Sequence, residues 1–122
     1  QFVRSEGGYK IKGKDEANIA KLIEDAKAVE EAGAFAIVIE GVKPEAAKAI
    51  TQAVQIPTIG IGAGSDTDGQ VLVWSDMFGL NTEFKPKFVR TYLDGAKLFQ
   101  NGLKEYMKNV KDGSFPNGDE VY

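Results

Sequence analysis

Two short apolar runs, Phe35 to Ile39 (FAIVI) and Ile56 to Ile61, constrain this chain more than any other feature of it. Both are rich in β-branched residues; the first runs continuously apolar instead of alternating, the pattern of a strand covered on both faces in a parallel sheet, and the second reads as another buried strand. Each follows a segment of helical spacing. Over Asp15 to Glu31 the residues Ile19, Leu22, Ile23, Ala26 and Val29 recur every three or four positions, and Gly33 then stops the helix. Pro44 sits where a first helical turn tolerates it, and Ala46, Ala47, Ile50, Ala53 and Val54 continue a second amphipathic helix.

After the second run come Gly62-Ala63-Gly64 and a polar loop, Ser65 to Gln70. The next apolar run, Val71 to Trp74, predicts a third strand. A long last helix is predicted from near Pro86, with Phe88, Tyr92, Ala96, Phe99, Leu103, Tyr106 and Val110 as its stripe. It closes at Gly113, with Lys108 and Lys111 in its final turns. Gly95 and Gly102 fall inside that helix, seven apart on one face; close approach of another backbone and two tolerated surface glycines both fit them.

This order predicts an α/β fold of βα units joined by right-handed crossovers into a parallel sheet. It starts on a helix with no strand before it, and three parallel strands leave both sheet edges open. The expectation is one part of a larger domain, with a piece missing on the N-terminal side. No internal repeat beyond the βα period and no low-complexity tract interrupts it.

The chain has no cysteine and no histidine, which removes disulfides, thiol nucleophiles, imidazole bases and the usual zinc ligands together. Proton chemistry falls to carboxylate, lysine or tyrosine. A net charge of -3 and the lack of a dense basic stretch argue against a nucleic-acid partner. Neither a signal-peptide core nor a run approaching the roughly 20 apolar residues of a membrane helix is seen, so a cytoplasmic protein is expected.

Several motifs in series carry a resemblance: Gly7-Gly8-Tyr9-Lys10-Ile11-Lys12-Gly13, Glu30-Glu31-Ala32-Gly33-Ala34, the strand ending at Glu40, and Ile56-Pro57-Thr58-Ile59-Gly60-Ile61-Gly62-Ala63-Gly64. Asp68-Gly69-Gln70-Val71-Leu72-Val73, Asp76-Met77-Phe78-Gly79, Lys85-Pro86-Lys87-Phe88 and Gly113-Ser114-Phe115-Pro116 follow in order. Over essentially the whole chain this resembles the ketopantoate hydroxymethyltransferase family. The resemblance implies a (β/α)8 TIM barrel, of which residues 1–122 would be the C-terminal half, supplying about three strands and their helices. It implies transfer of a hydroxymethyl group from 5,10-methylenetetrahydrofolate to 3-methyl-2-oxobutanoate, giving 2-dehydropantoate on the way to pantothenate. Mg2+ would hold the keto acid, and a homo-oligomer would be the assembly.

Within that frame Glu40 is the expected proton-abstracting base. A carboxylate at the C-terminal end of a barrel strand faces the side on which such barrels place their active sites, and burial there would strengthen it as a base. Taken alone, the same residue also reads as a glutamate opening an exposed loop. Ile61, Val71 and Val73 are expected as the apolar wall for the isopropyl-like end of the substrate, although core packing fits them equally. Gly60 to Gly64 is followed by a loop and a strand, not a helix, so it does not meet the dinucleotide-binding pattern; substrate approach and a plain tight turn both fit. The metal-binding acids are expected upstream of Gln1, with none in this chain, and Asp68 and Asp76 as loop-fixing acceptors. Tyr9, Lys10 and Lys12 suit a solvated loop better than a flap over the substrate.

Gly41, Ser75 and the end of the chain depart from the family pattern, where a cysteine and two histidines are common. Two other readings compete. One is an inactive half-barrel that serves only to associate with its missing N-terminal half or a second copy; the other is a Mg2+-dependent α-keto-acid barrel enzyme of the phosphoenolpyruvate-mutase type, which lacks the GGYK and DGQ motifs.

Overall fold

The computed structural model describes residues 11–122, and the chain forms two compact units, one up to Leu72 and one from Val73 to Tyr122. The Gly7 to Lys10 part of the GGYK motif lies outside the described residues.

In the first unit, helix α1 spans Glu16–Glu31. Asp15 caps it by accepting a hydrogen bond from the Asn18 amide at 2.8 Å, which satisfies one of the free donors of the first turn. Strand β1 (Ile37–Glu40), helix α2 (Pro44–Ala53), strand β2 (Thr58–Ile61) and the two-residue strand β3 (Gly69–Gln70) follow. The strands are parallel in the order β1-β2-β3, with Glu40 opposite Ile61 and Gly60 opposite Gln70.

Paired positions share a face of a sheet and neighbours along a strand alternate. Ile37 and Ile39 therefore face one side, where Ile39 joins the core with Ala26, Ala46, Ala47, Ile50 and Val54. Ala46 and Ala47 are fully buried, and their small side chains let α2 lie close to the strands. Glu30 ties α1 to the turn before β2, its Oε1 accepting from the amides of Gln55 (2.6 Å) and Ile56 (3.1 Å). Val38 and Glu40 face the other side, where Val38 remains 63% exposed. Among the described residues of this unit, the expected covering of both faces is found on one face only.

The predicted strand at Val71 to Trp74 is not formed. Pairing with β2 ends one residue past β3, where the Val71 amide donates to the Gly60 carbonyl at 3.0 Å. Val73 then becomes the cap of a short helix, α3 (Trp74–Met77), its carbonyl accepting from the Asp76 and Met77 amides. A four-residue apolar run cannot by periodicity alone be told from a helix start, and Asp76 in the first turn favours the helix.

In the second unit the last helix, α4, spans Gly95–Asp112 and does not begin near Pro86. Phe88 and Tyr92 extend the spacing of its stripe but lie in irregular chain. The Tyr92, Gly95 and Ala96 amides donate to the carbonyls of Met77, Phe78 and Gly79, so this stretch is held by the end of α3 and not by helical bonds. Gly113 ends α4 in a left-handed conformation, as expected. Tyr106 packs edge-on against Phe115 at 5.5 Å.

Of the two glycines marked by spacing, Gly95 makes the close approach: a β-carbon there would overlap the Phe78 carbonyl oxygen. Gly102 has open space around it. Gly95→Ala should therefore destabilise the fold by about 1–3 kcal/mol, whereas Gly102→Ala should stabilise it by roughly 0.5–1 kcal/mol through helix propensity. Urea denaturation of the two variants checks both signs.

Candidate active site

Glu40 is the last residue of β1 and stands beside Ile61, the last residue of β2, on the face of the sheet away from α1 and α2. Continuing the β2–β3 register by one residue sets Val71 next to Ile61. Three of the four residues singled out in the sequence thus form a row across the C-terminal ends of parallel strands. Val73 does not extend that row, because the strand expected to carry it is absent; it belongs to the second unit as the cap of α3.

The row is open. Glu40 and Val71 are exposed and Ile61 is half-buried, so the burial expected of Glu40 is not supplied by the described residues. Beside it, the backbone of Lys12 is pinned on both sides: its amide donates to the Gly41 carbonyl (3.1 Å) and its carbonyl accepts from the Lys43 amide (2.9 Å). The C-terminal end of the GGYK-containing segment is therefore fixed next to the residue that follows Glu40.

The glycines after β2 have local reasons of their own. At Gly60 a β-carbon would lie 2.6 Å from the Thr67 hydroxyl oxygen and 3.0 Å from Gln70 Nε2, so only glycine leaves room for those two side chains. Gly64 has φ +82, and a β-carbon there would lie 2.8 Å from Pro44 Cβ at the start of α2, so this turn position has room for glycine alone.

Asp66, Asp68 and Asp76 are engaged separately. Asp66 lies 3.9 Å from Lys48, Asp76 accepts from Asn81 Nδ2 at 3.4 Å, and Asp68 accepts at Oδ2 from both the amide (2.8 Å) and the hydroxyl (3.0 Å) of Thr58. Among the described residues no group of three or more carboxylates, histidines or cysteines converges in a way that would hold a metal ion. They do not by themselves fit Mg2+.

Asp68 makes the tightest of these attachments, and its loop-fixing role agrees with the expectation. Thr58 is fully buried, and its hydroxyl also accepts from the Asp68 amide and lies 2.9 Å from that of Thr51 on α2. The Thr58 amide, and after it the Thr58 hydroxyl, hold the Asp68 carboxyl below its ordinary value of 3.8. Because the folded-state value is the lower one, the unfolded chain binds more protons in that range. The resulting stabilisation is present above pH 3.8 and is lost as pH falls through the folded-state value. The stability gap between the wild-type chain and Asp68→Asn, followed by denaturation at successive pH values, should therefore close below pH 3.8; a gap independent of pH would contradict this reading of the pair.

A family model for ketopantoate hydroxymethyltransferase matches residues 1–118. Relatives named 3-methyl-2-oxobutanoate hydroxymethyltransferase align over all 122 residues: that of Aliarcobacter butzleri is 64% identical, that of Wolinella succinogenes 57%, and that of Helicobacter pylori strain Shi470 59%. The chain spans 45%, 47% and 45% of their respective lengths, about half of each. With its motifs in series and this coverage, the chain belongs to the ketopantoate hydroxymethyltransferase family.

Proposed function

We propose that this chain is the C-terminal half of a (β/α)8-barrel hydroxymethyltransferase and that Glu40 is its base. The observation that carries the reading is the row Glu40, Ile61 and Val71 across the C-terminal strand ends, on the face away from α1 and α2. Barrel enzymes place their chemistry at that end of the sheet.

The substrate is 3-methyl-2-oxobutanoate. Its C3 proton is acidified by the adjacent ketone, and Glu40 removes it, leaving an enolate. Hydrolysis of the two bonds from the methylene carbon of 5,10-methylenetetrahydrofolate to its nitrogens leaves tetrahydrofolate and a one-carbon unit at the formaldehyde level; C3 adds to that carbon, and the resulting alkoxide takes back the proton that Glu40 removed, giving 2-dehydropantoate. Ile61 and Val71 contact the isopropyl-like end of the keto acid. Any divalent cation takes its ligands from the part of the relatives' length that this chain does not span.

That same part covers what is open in this chain. The uncovered sheet face supports this, as does the stripe on α4, where Phe99, Leu103, Tyr106 and Val110 are all exposed. A stripe of that size needs an apolar partner. The desolvation expected of Glu40 comes from the assembled barrel.

Mixing this chain with the N-terminal half of the Aliarcobacter butzleri relative should give tetrahydrofolate-dependent formation of 2-dehydropantoate, absent from either half alone. Glu40→Gln in the mixture should reduce kcat by about 100-fold or more. Full activity in that variant would remove Glu40 from the mechanism. A folded, associated but inactive wild-type mixture would contradict the proposed function.

A further inference from the structure

Strand β3 is only two residues long, yet it sets where Val71 stands. Two ladder residues are too few to fix a register by themselves, and a slip of one residue in a strand turns every side chain to the other face. The register must be specified by something besides the ladder.

It is specified at its first end by Asp68, the residue immediately before β3. The Asp68 carboxylate accepts from the Thr58 amide and hydroxyl, and its own amide donates to the Thr58 hydroxyl at 3.2 Å. These three bonds join the residue before β3 to the first residue of β2. Thr58 cannot shift to follow a slipped partner: it is fully buried, paired with Ile37 on its other side, and its hydroxyl abuts Thr51, which donates to the Ala47 carbonyl on α2. At the other end, the Gln70 amide group donates to the Gly64 carbonyl and the Thr67 hydroxyl, both at 2.9 Å, and closes the loop on itself. From this fixed start, two ladder positions lead to Val71 beside Ile61.

We infer that Asp68 is a positioning residue for the substrate pocket: through Thr58 it fixes the register of β3 and so holds Val71 in the apolar wall that receives the branched end of the keto acid. The inference rests on the proposed function and deepens it. Asp68 touches no reacting atom, so its loss acts on how well the branched substrate is held more than on proton removal by Glu40.

The test uses a full-length enzyme in which this chain replaces the corresponding stretch of the Aliarcobacter butzleri relative. Asp68→Ala removes every side-chain acceptor, while Asp68→Asn keeps an oxygen in the place of Oδ2 and removes only the charge. Asp68→Ala should raise KM for 3-methyl-2-oxobutanoate about tenfold, the scale of a lost apolar contact, with a smaller change in kcat. Asp68→Asn should bring KM back near the wild-type value. Amide hydrogen exchange on the same proteins should show protection of Val71 lost in the alanine variant and kept in the asparagine variant.

Equal failure of both variants would assign the effect to charge and overturn the inference. So would an alanine variant that is folded by circular dichroism and has unchanged KM, or one that loses kcat alone. An alanine variant that does not fold leaves the decision to Asp68→Asn and Thr58→Val: retained KM and Val71 protection in both support the amide-to-carboxylate anchor, and loss in Asp68→Asn overturns it. An inactive wild-type chimera would fail the proposed function first, and the inference with it, whereas an active wild type with an unmoved KM fails the inference alone.

Discussion

Everything in the first unit depends on how closely α2 lies on β1 and β2. Ala46 and Ala47 are fully buried and present little more than a methyl group each, so Ile39 and Ile50 close the space between helix and sheet without a cavity-forming large residue between them. Once one face of the sheet is committed to that contact, alternation along the strands sends Val38, Glu40, Ile59 and Ile61 to the other. Which face carries Glu40 is thus a consequence of where the alanines fall.

The helices α1 and α2 and the strands β1 and β2 were legible in the sequence because each combines a period with punctuation: Asp15 and Gly33 around α1, Pro44 at the start of α2, β-branched runs for the strands. The third strand and the start of the last helix were not. Val71 to Trp74 is apolar but too short to carry a period, and hydrogen bonding, not hydropathy, decides that Val73 caps a helix. Phe88 and Tyr92 mimic the stripe of α4, yet the amides around them are taken by carbonyls at residues 77–79, a tertiary choice that no local pattern announces.

The candidate site was legible only as a placement of residues. Glu40 and Ile61 follow from strand ends, and their adjacency follows from parallel pairing in register. Val73 was misplaced along with the strand expected to carry it. The loop-fixing part of Asp68 was expected, but its partner Thr58 was not singled out, since a lone threonine inside an apolar run looks like any β-former. The signal was present in retrospect: Thr58 is the one polar side chain in an otherwise apolar run, and a buried hydroxyl requires a partner.

The account centres on one surface, the row formed by Glu40, Ile61 and Val71. Methyl-selective labelling of isoleucine and valine in the full-length chimera, titrated with 3-methyl-2-oxobutanoate and followed by NMR, reads that surface directly. The account predicts that the Ile61 and Val71 methyl signals shift together and saturate together, while Val110 on α4 and Ile50 in the core stay in place. Saturable shifts confined to other methyl groups, with Ile61 and Val71 unmoved, would contradict it.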